Sequence, residues 1–188
     1  MLLPFKGEER RRCRGDHCFA VTHEKSFGAA ISDHNSFTSQ EAYDAYLNSA
    51  AKSTLDQVCA QQNLLQEPQR EQRLIPAAGF PLRSPGLRLA SGNHVALAKI
   101  DYVSGTRDEG IQHWSSVAAF VKESEEGTHT YWFLADPEDE DVLYTLERYR
   151  DEKYLWDTHV PSSAIQENKN KQKDIRTGLL LRGFESVE

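Results

Sequence analysis

Within the stretch LERYRDEKYLWDTH, residues 146–159, the chain places a carboxylate, two phenols, an indole and an imidazole: Glu147, Tyr149, Tyr154, Trp156 and His159. An imidazole titrates near neutral pH, so His159 has the equipment of a general base toward an acidic C–H or O–H, and a carboxylate beside it would orient the ring. Glu147 shares strand parity with Leu143, Thr145 and Tyr149 and therefore faces a partly apolar surface, whereas Arg148 points the opposite way. A plainer reading stands next to this one: His159 donates to a helix-end carbonyl ahead of Pro161, and Glu147 forms an ion pair at a surface. Trp114, His129 and Tyr131 complete the candidate set, able to line an aromatic cavity between helices and a sheet or to fill an ordinary core.

Other chemistries find no residues to carry them. There is no glycine-rich phosphate cradle, no GxSxG, and no pair of carboxylates at metal-binding spacing, so neither a flavin, a nucleotide nor a metal cofactor is expected. Cys13, Cys18 and Cys59 form neither a CxxC nor a Cys/His ligand pattern, which argues for a reducing, cytoplasmic setting. A net charge of -7 and a pI near 5.5 repel polyanions, so no nucleic-acid or anionic-membrane partner is expected. The basic run from Glu9 to Arg14 is short and reads as a solvated face or a frayed terminus. The chain starts with apolar residues ahead of its charges, the reverse of a secretory signal, and no long apolar window follows.

The elements that must position these side chains are legible in the second half. Residues 94–103, HVALAKIDYV, alternate as a strand with Ala96, Ala98, Ile100 and Tyr102 on one face. Thr106 and Glu109 have capping-box spacing, and Ile111, Trp114, Val117, Ala118 and Val121 then recur on a helical stripe ending near Gly127. HTYWFLA (129–135) and VLYTLERY (142–149) flank a turn rich in breakers and should form a hairpin. Asp151 caps a second helix that bends near Val160, because Pro161 cannot continue it, and resumes to Lys173; GLLLRGFESV (178–187) is the last strand. The order β-α-β-β-α-β is the α+β, ferredoxin-like arrangement with both helices on one face of an antiparallel sheet.

The first half carries a worn copy of the second. Gly15, His17 and Phe19 fall on Gly127, His129 and Tyr131, and Phe37 on Tyr149, all 112 positions apart. Thr38–Glu41 repeats the capping-box pattern before a helical run with Tyr43, Tyr46, Leu47 and Ala50 on one stripe, and LIPAAGF (74–80) matches LLLRGF (179–184) at a smaller offset. Pro76 marks an edge or bulged strand. The expected division is residues 1–80 as an incomplete first unit, 81–93 as linker and 94–188 as a complete second unit. The counterpart of the strand at His94 would fall ahead of Met1, so the first unit lacks it through truncation or receives it from a partner molecule.

Taken together, Glu147-Arg148-Tyr149 at the end of the third strand, His159 in the following helix, SFTSQEAYDAYL (36–47) and the Gly-Phe pairs of the last strands resemble the antibiotic biosynthesis monooxygenase (ABM) superfamily. The likeness covers roughly 15–80 and 94–187 and is similar to tandem, single-chain members. It implies two ferredoxin-like units forming a dimeric α/β-barrel, within one chain or as a homo-oligomer. It further implies cofactor-independent oxygenation of a small aromatic or polyketide-like molecule, with His159 as base, Glu147 orienting it, and Trp114, His129, Tyr131 and Tyr149 around the substrate. The haem-degrading relatives' Asn/His/Trp set is not assembled here. In the first unit Asn35 stands at the Glu147 position and Tyr46 or Leu47 at the histidine position, so a site belongs to the second unit. A module that keeps the fold and only binds or assembles is the alternative.

Overall fold

The computed structural model describes residues 18–23, 34–37, 39–62, 70–84 and 93–185. They divide into two units between Gln72 and Arg73. The basic run 9–14, the aligned residues 15–17, Thr38 and positions 85–92 of the expected linker lie outside the described residues.

In the first unit β1 (Cys18–His23) pairs antiparallel with β2 (His34–Phe37), and α1 (Gln40–Leu47) and α2 (Ala50–Gln61) follow. The helical run expected to be continuous is broken at Asn48-Ser49. The Asn48 side chain donates to the Asp44 carbonyl at 2.7 Å, and Ser49 Oγ accepts from Lys52 N at 3.1 Å. Short polar side chains offer the backbone such alternatives to a continuing helix, and two together end one helix and start the next. Of the expected stripe only Ala50 falls beyond the break; within α1 Tyr43 is buried under Phe37, with ring centroids 5.3 Å apart, while Leu47 is exposed.

In the second unit the expected order is present: β4 (His94–Tyr102), α3 (Arg107–Ser124), β5 (Thr128–Ala135), β6 (Val142–Tyr149), a short α4 (Glu152–Tyr154), α5 (Ser163–Lys171) and β7 (Arg176–Glu185). β4 lies between β6 and β7, and β5 pairs with β6, giving the ferredoxin-like sequence of neighbours. A fifth antiparallel strand, β3 (Arg70–Phe80), pairs with β5, so the sheet runs β3-β5-β6-β4-β7 and is not a closed barrel. β3 was expected to end the first unit; its hydrogen bonds to β5 place it in the second sheet, bulged between Pro76 and Ala78 as its proline implies.

One face of this sheet carries the core. Ile100, Tyr102, Tyr131, Phe133 and Leu143 meet Trp114, Val117, Ala118 and Val121 of α3, with Ala164 and Ile165 of α5 at the margin. The capping box expected at Thr106 does not form: its hydroxyl donates back to the Val103 carbonyl at 2.7 Å, tied up by the turn that leaves β4. Gly127 follows α3, but its role is space. A Cβ there would lie 2.5 Å from the Tyr154 ring.

The start of the expected linker is fastened down. Arg83 donates through Nε to the Thr128 carbonyl at 2.8 Å, through Nη1 to Lys122 O at 2.5 Å and through Nη2 to Val121 O and Glu125 O, both at 2.9 Å. A guanidinium over the last carbonyls of α3 adds donors where the helix runs out of its own and complements its dipole.

Candidate functional site

The helix between Asp151 and Pro161 is not regular. Asp151 Oδ1 accepts from Tyr154 N at 2.7 Å and starts α4, after which residues Leu155–His159 form a π turn closed by Val160 N donating to Leu155 O at 2.9 Å. The extra residue in this turn accompanies burial of Leu155 and His159 while Trp156 remains 49% exposed. His159 thereby ends inside the protein, 4% exposed.

There its Nδ1 lies 2.7 Å from Glu125 Oε2, and Glu125 is equally buried. A carboxylate can only accept, so the hydrogen of this contact belongs on Nδ1, and Nε2 is the ring nitrogen left for another partner. Thr128 Oγ1 donates to the same Glu125 oxygen at 3.0 Å, while Glu125 Oε1 has no partner among the described residues. Tyr131 and Tyr149 flank the imidazole, with ring centroids 5.0 Å and 5.1 Å away. Tyr149 OH donates to Glu147 Oε2 at 2.8 Å.

Burial, then the carboxylates of Glu147 and Glu125, push the Tyr131 phenol well above its ordinary range. Burial, followed by Glu147, does the same to Tyr149. Both phenols therefore stay protonated near neutral pH.

The sequence candidates are gathered unequally. His159, Tyr131, Tyr149 and Glu147 form one cluster, but Glu147 serves Tyr149, and the partner of His159 is Glu125. Trp114 joins through Phe133: it stacks on that ring at 4.9 Å, and Phe133 meets Tyr131 edge-on at 5.0 Å. His129 stands apart, its Nδ1 2.9 Å from Asn93 Oδ1, because an irregularity between Thr128 and Thr130 breaks the alternation that would have put it beside Tyr131. Burial and the charges of Arg148, Arg83 and Arg150 lower its pKa.

Glu125 has one sequence signal that parity missed. Carboxylates are unfavourable at a helix C-terminus, so an acid there calls for a cationic or donor partner from elsewhere. Among the described residues no cluster of His, Cys, Asp and Glu has the form of a metal site, and no helix is long and apolar enough to cross a membrane.

Residues 93–170, which hold this cluster, match the family described as antibiotic biosynthesis monooxygenase. That segment belongs to the ABM family. Two solved structures share the fold of the chain. A candidate monooxygenase from Fusobacterium nucleatum subsp. nucleatum superposes with a TM-score of 0.73 at 14% identity over 90% of this chain and 74% of its own. A candidate monooxygenase from Lactobacillus acidophilus NCFM does so with a TM-score of 0.69 at 14% identity, over 91% and 77%. No curated protein matches the chain. The family match and the two solved structures thus bear on the fold.

Proposed function

We propose that the ABM domain is a cofactor-independent monooxygenase for a small aromatic, polyketide-like molecule carrying an acidic C–H or O–H, with His159 as the base and Glu125 fixing its tautomer. The observation that carries this reading is the 2.7 Å contact between two side chains that are each 4% exposed. A buried imidazole held through Nδ1 has its remaining nitrogen committed in direction, which is what proton abstraction needs. Tyr131 and Tyr149, protonated at neutral pH, are donors to an oxyanion, and Trp114 and Phe133 extend the aromatic wall. Glu147 holds Tyr149 in place. In an anthrone-type substrate, loss of a proton gives a carbanion that reduces dioxygen; the methylene becomes a carbonyl, and the second oxygen atom leaves as water.

The same proposal takes residues 1–80 as an incomplete first ABM-like unit in the order of the repeats, although its last strand, β3, hydrogen-bonds to β5. Support comes from the caps: Ser39 starts α1 and Asp151 starts α4, and the two stand 112 positions apart, as do Phe37 and Tyr149 at the ends of β2 and β6.

The second reading, a binding or assembly module without chemistry, is favoured by the closure of the cluster, since a substrate has to displace packed aromatic surface to reach His159. Oxygen consumption with anthrone separates the two. Wild type should consume oxygen, His159→Ala should lose about a hundredfold or more of that rate, and Glu125→Gln should lower kcat and displace the pH profile. Equal rates in wild type and His159→Ala would remove the base from the scheme.

A further inference from the structure

A second polar chain starts in the same core at Trp114 and leads toward α5. Trp114 Nε1 donates to Tyr102 OH at 2.9 Å, Tyr102 OH donates to Gln172 Oε1 at 2.9 Å, and Gln172 Nε2 donates to Asn168 Oδ1 at 2.8 Å. Its direction is set at the inner end, because an indole N–H can only donate. Having accepted from Trp114, the Tyr102 hydroxyl must still place its own hydrogen, and the Gln172 carbonyl is the acceptor it meets. Turning the Gln172 amide over would strand that hydrogen in the interior. Burial pushes the Tyr102 phenol up to about 12, so the hydrogen is there to be placed.

The polarity is handed from residue to residue until it ends at the Asn168 NH2 group, itself buried. Asn168 is 3% exposed, and its Nδ2 has no acceptor among the described residues. A buried donor left without an acceptor is destabilising, and a ligand acceptor would relieve it.

Asn168 also lines a groove of about 160 Å³ between α3 and α5. Val117 and Ala164 make its apolar walls, and His113, Glu167 and Lys171 stand on the rim. Lys171 forms no ion pair among the described residues, whereas His113 has Glu109 at 3.7 Å. The single free cation and the buried donor call for an anionic acceptor, and Glu167 opposes a second negative charge. A flat apolar body suits the walls.

We propose that this groove binds a small monocarboxylate, whose carboxylate accepts from Asn168 Nδ2 and faces Lys171 while its apolar part lies on Val117 and Ala164. The site is distinct from the His159 cluster and does not depend on the oxygenase reading. Benzoate is the probe, titrated into the full chain while the Asn168 side-chain amide is followed by ¹H–¹⁵N NMR, with benzylamine as the cationic control. The amide should shift saturably at roughly millimolar benzoate and not with benzylamine. Asn168→Asp keeps the Oδ1 that Gln172 needs but replaces the Nδ2 donor by an acceptor, so benzoate, followed there through the Ala164 and Lys171 backbone amides, should bind about tenfold or more weakly. Lys171→Gln, on the exposed rim, should weaken binding and flatten its salt dependence while leaving the fold intact. No saturable shift in wild type, an equal response to benzylamine, or undiminished binding in both variants would overturn the proposal.

Discussion

At the scale of single residues, the buried carboxylate is what distinguishes this interior from an ordinary aromatic core. Glu125 accepts from both His159 and Thr128, so Glu125→Ala would leave a ring nitrogen and a hydroxyl without an acceptor in a dry setting. A loss of about 2–4 kcal/mol in urea unfolding is expected, against about 1 kcal/mol for Glu125→Gln, which keeps a carbonyl oxygen in place. Equal costs for the two variants would mean that the pair does not hold the structure. The tyrosines give an independent test by pH. Tyr131 and Tyr149 have folded pKa values raised well above their unfolded values, chiefly by burial, so the folded protein keeps protons that the unfolded chain releases near pH 10. Their contribution is complete below that pH and is lost above it, by about 1.4 kcal/mol per pH unit for each phenol. Urea midpoints measured between about pH 9 and 11 should fall steeply in wild type and less steeply in Tyr149→Phe. An unchanged slope would place that phenol in contact with solvent. From sequence, the inward face of β6 followed from alternation, and the candidates Tyr131, Tyr149, Glu147 and His159 did converge. The partner assigned to His159 was nevertheless Glu147, because strand parity describes which face a residue takes and not how far along that face another helix arrives. Glu125 lies 34 residues earlier in the chain, at the far end of a different element.

At the scale of elements, the sequence pattern located the strands and helices from β4 to β7, while most of the differences arise at ends and junctions. Thr106 has the right spacing for a capping box and is diverted by the turn after β4, and Asn48-Ser49 splits a run whose apolar spacing alone reads as continuous. The π turn at Leu155–His159 is likewise invisible to a fixed helical period, although Pro161 signals that the helix must change there. The C-terminus of α3 depends on a residue outside the helix altogether. Arg83 serves carbonyls of Val121, Lys122, Glu125 and Thr128, so Arg83→Ala should cost about 2 kcal/mol or more and raise amide hydrogen exchange in the last turn of α3 before anywhere else. Protection unchanged in residues 121–128 would show that the turn holds without the guanidinium. Gly127→Ala addresses the same corner from the other side: the added methyl must push into the Tyr154 ring, so this variant should also disturb the start of the segment that carries His159.

At the scale of the whole chain, the question is which residues the ABM domain needs in order to fold. Reading for repeats puts the boundary in the proline- and glycine-rich stretch 81–93, since composition marks a linker and similarity pairs LIPAAGF with the last strand. Composition cannot register hydrogen bonds made across the chain. β3 pairs with β5, Phe80 belongs to the same core as Trp114 and Phe133, and Arg83 closes α3. A fragment of residues 73–188 is therefore expected to unfold in a single cooperative transition and to keep His159 protected, whereas 94–188 gives up a strand partner of β5, a core phenylalanine and the clamp. The shorter fragment should be less stable than 73–188 by more than Arg83→Ala costs alone, and its bare β5 edge should favour association at high concentration. Urea unfolding of both fragments, with sedimentation to follow association, measures this directly. Equal stability would return the boundary to the linker and reduce β3 to an appendage of the sheet; a clear deficit would mean that the working unit reaches back past the family match at residue 93 and that the His159 cluster depends on residues ahead of it.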